Sequence, residues 1–133
     1  MKNFYRVALA ITLGAAAVLG DWFYAGQWGS NGAGNGEFNW PFGVAVAPGG
    51  DVYVADSGNN RIQYFTDAGS YLGRWGSVGS GNGQLIDPRG LCFNVPGSRV
   101  YVVDRGNNRI QYFNRNEPSV EPSSLGRVKT LFK

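Results

Sequence analysis

The feature that most constrains this chain is an internal repeat. QWGSNGAGNGEFNWPFGVAVA at 27–47 aligns with RWGSVGSGNGQLIDPRGLCFN at 74–94. After one inserted residue, Val95, the segment PGGDVYVADSGNNRIQYF at 48–65 aligns with PGSRVYVVDRGNNRIQYF at 96–113, and 23 of the 39 aligned pairs are identical. The flanks correspond as well: FYAGQW at 23–28 matches SYLGRW at 70–75, and SSLGRV at 123–128 matches it weakly, with Val128 in the place of Trp. A period of 47 to 48 residues is that of a supersecondary unit which buries its apolar face only by stacking on a neighbour.

Each copy predicts four short strands. In the first copy they are Gly43 to Ala47, Val52 to Ala55, Arg61 to Thr66 and Ser70 to Trp75, separated by Pro48-Gly49-Gly50-Asp51, Asp56-Ser57-Gly58-Asn59-Asn60 and Asp67-Ala68-Gly69. On the third strand Ile62 and Tyr64 point to one face, Gln63 and Phe65 to the other. The second copy repeats this with Leu91–Phe93, Val100–Val103 and Arg109–Asn114, and Tyr24 to Gly29 reads as a leading copy of the fourth strand. Glycine supports the reading, because 21 glycines in 133 residues is about twice the usual share and suits a protein of tight turns. Four strands per unit is the blade of a propeller, whereas a helical solenoid would show 3.6-residue periodicity.

PFGVAVAPGGDVYVADSGNNRIQYF and PRGLCFNVPGSRVYVVDRGNNRIQYF resemble the NHL repeat, the blade of NHL-type β-propellers. The resemblance rests on Pro-x-Gly, Val-Tyr-Val-x-Asp, Gly-Asn-Asn-Arg-Ile and Tyr-Phe at fixed spacing, and it covers about residues 23–113. It implies an all-β fold of two four-stranded blades, a partial β-propeller. Blade one is expected at about 38–76, and blade two at about 85–113 with the leading strand 24–29. The resemblance further implies a ring of about six blades and a binding surface rather than one chemistry. Members include protein- and RNA-binding modules, extracellular sensors and a few metal-dependent lyases. Two blades do not close a ring, so the chain is expected either as a fragment of a longer propeller or as a homo-oligomer, a trimer closing six blades in which the leading strand of one protomer finishes the last blade of its neighbour.

Around this repeat region, 21–113, the ends read differently. Lys2 and Arg6 precede an uncharged run from Val7 to Gly20, with small residues at Ala15-Ala16-Ala17 and Val18-Leu19-Gly20. That is the pattern of a signal peptide over 1–20, in helical form, with a mature start near Val18 or Asp21 and a secreted or periplasmic protein as the expectation. A membrane anchor is the lesser reading, since a spanning helix needs about 20 apolar residues and Asp21 ends the run. Residues 114–133, with two prolines and several serines, read as a tail or the degenerate start of a third repeat.

Chemistry is constrained mainly by exclusion. There is no histidine and one cysteine, which removes the commonest general base, the commonest zinc ligand and any intramolecular disulfide. No catalytic residue, metal ligand or cofactor is assigned. The net charge of +3 shrinks to +1 without Lys2 and Arg6, and residues 21–113 carry 6 basic against 7 acidic side chains. No field for a phosphate backbone is left, so nucleic acid is not an expected partner.

Asp56, Asn59, Asn60 and Arg61 recur as Asp104, Asn107, Asn108 and Arg109. A catalytic site is built once and a turn once per blade, so these are expected to be structural: Asp accepting N–H groups of its own turn, Arg pairing with it, the asparagines tolerating positive φ. The Gly-rich loops 29–36 and 76–83 lack the helix and lysine of a phosphate loop and are expected to connect blades. Trp28 and Trp75 read as packing residues, and Cys92, in the place of Ala45, as a buried thiol. The candidate ligand contacts are Trp40, which has no tryptophan counterpart, and Arg89 and Arg105, which replace Phe42 and Ser57. The functional expectation is an exported, non-catalytic binding or scaffold module recognising protein or glycan on its loop face. The alternative is part of a metal-dependent lyase or hydrolase site completed by other blades.

Overall fold

The computed structural model describes residues 21–116. The expected signal segment 1–20 and the SSLGRV segment at 123–128 lie outside the described residues. Among the described residues there is no α-helix, and none long and apolar enough to cross a membrane. A minimal parallel pair, β1 (Ser30–Asn31) and β2 (Glu37–Phe38), precedes blade one. Blade one is an antiparallel sheet in sequential order: β3 (Pro41–Val46), β4 (Val52–Asp56), β5 (Arg61–Phe65) and β6 (Tyr71–Trp75). Blade two has three strands in the same order: β7 (Pro88–Phe93), β8 (Arg99–Asp104) and β9 (Arg109–Asn114). A 3₁₀ turn joins the second and third strands of each blade, at Ser57–Asn59 and Arg105–Asn107.

The β-branched and aromatic runs VYV and RIQYF make the central ladder, pairing Val52 with Phe65, Tyr53 with Tyr64 and Ala55 with Ile62. The Pro48–Asp51 turn closes with Gly50 N–H donating to Ala47 O, and the Asp67–Gly69 turn with Gly69 N–H donating to Thr66 O. The first strand of each blade starts earlier than expected, at the proline. It lies at a sheet edge, where a missing N–H costs no ladder bond, and a register shift follows it between Pro41 and Val44 and between Pro88 and Leu91.

The core lies between the blades. One face of blade one, carrying Tyr53, Ala55, Ile62 and Trp75, packs on Leu85, Leu91, Phe93, Val100, Val102 and Phe113 of blade two. Tyr53 stacks on Tyr64 at 5.1 Å between ring centroids and meets Phe93 edge-on at 4.9 Å, while Trp75 reaches Phe113 at 5.7 Å. Ile62, Leu85 and Val102 are fully buried, each contributing about 1.5–3 kcal/mol. The sheets approach so closely at β3 and β7 that a Cβ on Gly43 would collide with the carbonyl oxygen of Arg89.

Three expectations are corrected. Residues 24–29 form no strand: among the described residues they have no ladder partner, and in blade one the place beside β5 is already taken by β6. Blade two has three strands among the described residues instead of four. Cys92 is exposed instead of buried: it occupies the position of Ala45, and the face that blade two covers on blade one is uncovered on blade two itself.

Candidate ligand-contact site on the loop face

The repeated polar residues build a latch. In blade one the buried Asp56 accepts hydrogen bonds from Asn39 N–H (2.8 Å), Asn59 Nδ2 (2.9 Å), Arg61 Nε (2.7 Å) and Gln63 Nε2 (3.1 Å). Arg61 spends its other nitrogens on the carbonyl oxygens of Ala33, Gly34 and Glu37, and Asn59 donates to Gly32 O. Gln63 closes the set, donating to Glu37 O and accepting from Gly36 N–H. Blade two repeats the arrangement with Asp104, Asn107, Arg109 and Gln111 holding Gly79, Ser80, Gly81 and Gln84. Each Gly-rich loop is therefore pinned to the blade that follows it.

This corrects the expected role of Asp56 and Asp104. Neither side chain caps its own 3₁₀ turn; each instead takes the N–H of a residue ahead of its blade, Asn39 and Ile86. Only the second asparagine of each pair is left-handed, Asn60 at φ 53° and Asn108 at φ 52°. For Asp104, burial alone would push the carboxyl up. The bonds from Ile86 N–H, Asn107, Arg109 and Gln111 outweigh that and hold it below the ordinary carboxylate value.

Beside the latch lies a groove of about 560 Å³ at the start of the first strands, lined by Trp40, Pro41, Phe42, Ser57, Gly58, Asn60, Asp87 and Arg89. It crosses from one blade to the other, and the crossing is bonded: Asn60 Oδ1 accepts from Asp87 N–H at 3.0 Å, and the Ser57 hydroxyl donates to Pro88 O. The Arg89 guanidinium lies 4.2 Å from the Phe42 ring centroid, a cation–π contact, and also holds Asp87 through two bonds of 3.0 and 3.1 Å. Arg105 reaches the same carboxylate from the 3₁₀ turn of blade two. The Arg89 bonds first, and the Arg105 bond with them, hold the Asp87 carboxyl below its usual range.

Trp40 stands at the rim, 84 % exposed, with its backbone at φ 50°. Its counterpart Asp87 has φ 49°, so the fold demands a left-handed residue ahead of each proline, and a tryptophan there is held against its preference. The three candidate contacts thus come together: Trp40 and Arg89 line the groove, and Arg105 meets it through Asp87. Sequence reasoning missed Asp87 and Phe42 as members of the same cluster. The signal was present, since both sit at aligned positions where the copies differ. No three His, Cys, Asp or Glu side chains gather into a metal-binding group among the described residues.

An up-and-down four-stranded sheet, packed face to face on a repeat of itself and joined through pinned loops, is the blade arrangement of a β-propeller. The family model that matches this chain is the NHL repeat, at residues 38–65 and 85–113. No curated protein matches the chain. Among solved structures it is similar to a Bacteroides uniformis protein provisionally assigned as a 6-phosphogluconolactonase, at a TM-score of 0.45 and 19% identity, over 61% of this chain and 24% of that one. The chain therefore spans about a quarter of that protein's length.

Proposed function

We propose that the chain is an exported, non-catalytic binding module whose loop face recognises another protein at the groove of Trp40, Phe42, Asp87, Arg89 and Arg105. One observation carries the reading. The two copies agree in the latch residues and diverge at Trp40/Asp87, Phe42/Arg89 and Ser57/Arg105, and the three divergent pairs meet at one place. The exposed, backbone-strained Trp40 contributes nothing visible to packing.

The chemistry favours a protein over a glycan. Tryptophan and arginine are the side chains that anchor protein interfaces. A sugar site needs free acceptors for hydroxyl groups, and three of the roughly four acceptor sites of the Asp87 carboxylate are already taken by Arg89 and Arg105. The test is selection of a peptide library on the purified chain, with a glycan array in parallel. Peptides are expected whose affinity falls tenfold or more with both Trp40→Ala and Arg89→Ala. Glycan binding sensitive to the same two substitutions, with no such peptide, would move the ligand to the sugar class. Binders of either class that ignore both substitutions would overturn the site. Stoichiometric zinc or calcium in the purified protein would overturn the non-catalytic reading.

A further inference from the structure

The packing of blade two on blade one supplies an internal template for a second interface. Ile62 on β5 is fully buried by blade two, yet its counterpart Ile110 on β9 is 59 % exposed. Tyr112, the counterpart of the half-buried Tyr64, is exposed too, as are Val103 and Cys92. The opposite face of blade one shows the complement. Val44 and Val46 are 66 % and 62 % exposed, while Leu91 and Phe93, which replace them in blade two, pack into the core. The uncovered face of blade two thus has the composition of the face that blade two covers. The opposite face of blade one, where Val44 and Val46 are exposed while Val52 and Phe65 are buried, Phe65 against Trp28 and Phe38, has that of the face doing the covering.

The leading segment fits the same template. Trp28 lies 5.9 Å from the ring of Phe65, as Trp75 lies 5.7 Å from Phe113. It already stands where the fourth strand of a preceding blade would put it, although it has no ladder partner. β9, for its part, has among the described residues no outer neighbour of the kind that β5 has in β6. We infer that a second copy of this chain docks its blade two on the free face of blade one, the segment Tyr24–Trp28 of the first copy completing the three-stranded sheet of the second. The register follows from Ile62↔Trp75, Gln63↔Arg74, Tyr64↔Gly73 and Phe65↔Tyr71. Across the two copies it sets Trp28 opposite Ile110, Gln27 opposite Gln111, Gly26 opposite Tyr112 and Tyr24 opposite Phe113. The contact is head-to-tail, so closed rings hold two to four copies for propellers of about four to eight blades.

Gly26 makes the inference testable. A Cβ on Gly73 would lie 2.6 Å from the Tyr64 hydroxyl, whereas a Cβ on Gly26 meets nothing within 4 Å in the single chain. Gly26→Val is therefore expected to leave the chain folded and to block its assembly. Light scattering on the purified full-length chain should give two to four times the mass of Gly26→Val or Ile110→Lys, with β-type circular dichroism unchanged in both variants. Open polymers that grow with concentration and vanish with Gly26→Val also support the head-to-tail contact. In a Cys92→Ser background, mixing Gln27→Cys and Gln111→Cys chains should yield an oxidised heterodimer. A wild-type monomer would overturn the inference, as would assembly that survives both face variants or mixed chains that do not cross-link. Trp40→Ala is expected to assemble normally, so failure here is separable from failure of the loop-face site.

Discussion

Among single residues, Asp56 and Trp40 carry the sharpest consequences. The Arg61 side chain paired with Asp56 is 6 % exposed, whereas that of Arg109, paired with Asp104, is 30 % exposed. Removing the carboxylate strands a buried cation in the first case and a partly hydrated one in the second. Asp56→Ala is expected to cost about 3–5 kcal/mol and Asp104→Ala about 1–3 kcal/mol, measured by urea unfolding. The pH dependence follows from the lowered carboxyl of Asp104. A group whose folded pKa is depressed stabilises the fold above its unfolded value, about 3.9, and loses that contribution as pH falls through the lower folded value. Stability should hold level from pH 7 to 5 and decline below about pH 4, with Asp104→Asn flattening the decline. Trp40 acts in the other direction. Asn tolerates φ near 50°, so Trp40→Asn is expected to raise stability by about 1 kcal/mol while removing ligand binding, as calorimetry and the peptide titration would read together.

At the scale of elements, the blades are fixed by their approach to one another. Gly43→Ala forces β3 away from the Arg89 carbonyl on β7 and is expected to cost about 1–3 kcal/mol by thermal unfolding, with Gly49→Ala, in open space, as the mild control. The central strands β4, β5, β8 and β9 were legible because their alternation and β-branched composition suit no other element. The starts of β3 and β7 were not, since Pro-x-Gly reads as a turn until the edge position of the strand is known. The segment 24–29 shows the opposite failure: its residues match β6, but a strand exists only with a ladder partner. The partners of the latch were hidden for a similar reason. Asp56 bonds to Asn39 across 17 residues and a loop, and no local pattern announces that reach. Trp40 stands out because the other copy lacks it, whereas no local pattern ties Asp87 to the same cluster.

For the whole molecule, the export reading makes a direct prediction. N-terminal sequencing of the protein recovered outside the cytoplasm should begin near Val18 or Asp21, and a start at Met1 would mean an uncleaved anchor. The pinned loops have a consequence in time. Arg61 and Gln63 fix carbonyls that precede them by 24 to 28 residues, and Arg109 and Gln111 reach back 25 to 29. During synthesis each Gly-rich loop leaves the ribosome before the side chains that give it shape. Residues 76–84 stay unformed until Arg109 is made, however well blade one has already folded. The molecule is thus completed backwards within each unit, and a chain halted at residue 108 would keep its first loop and lose its second.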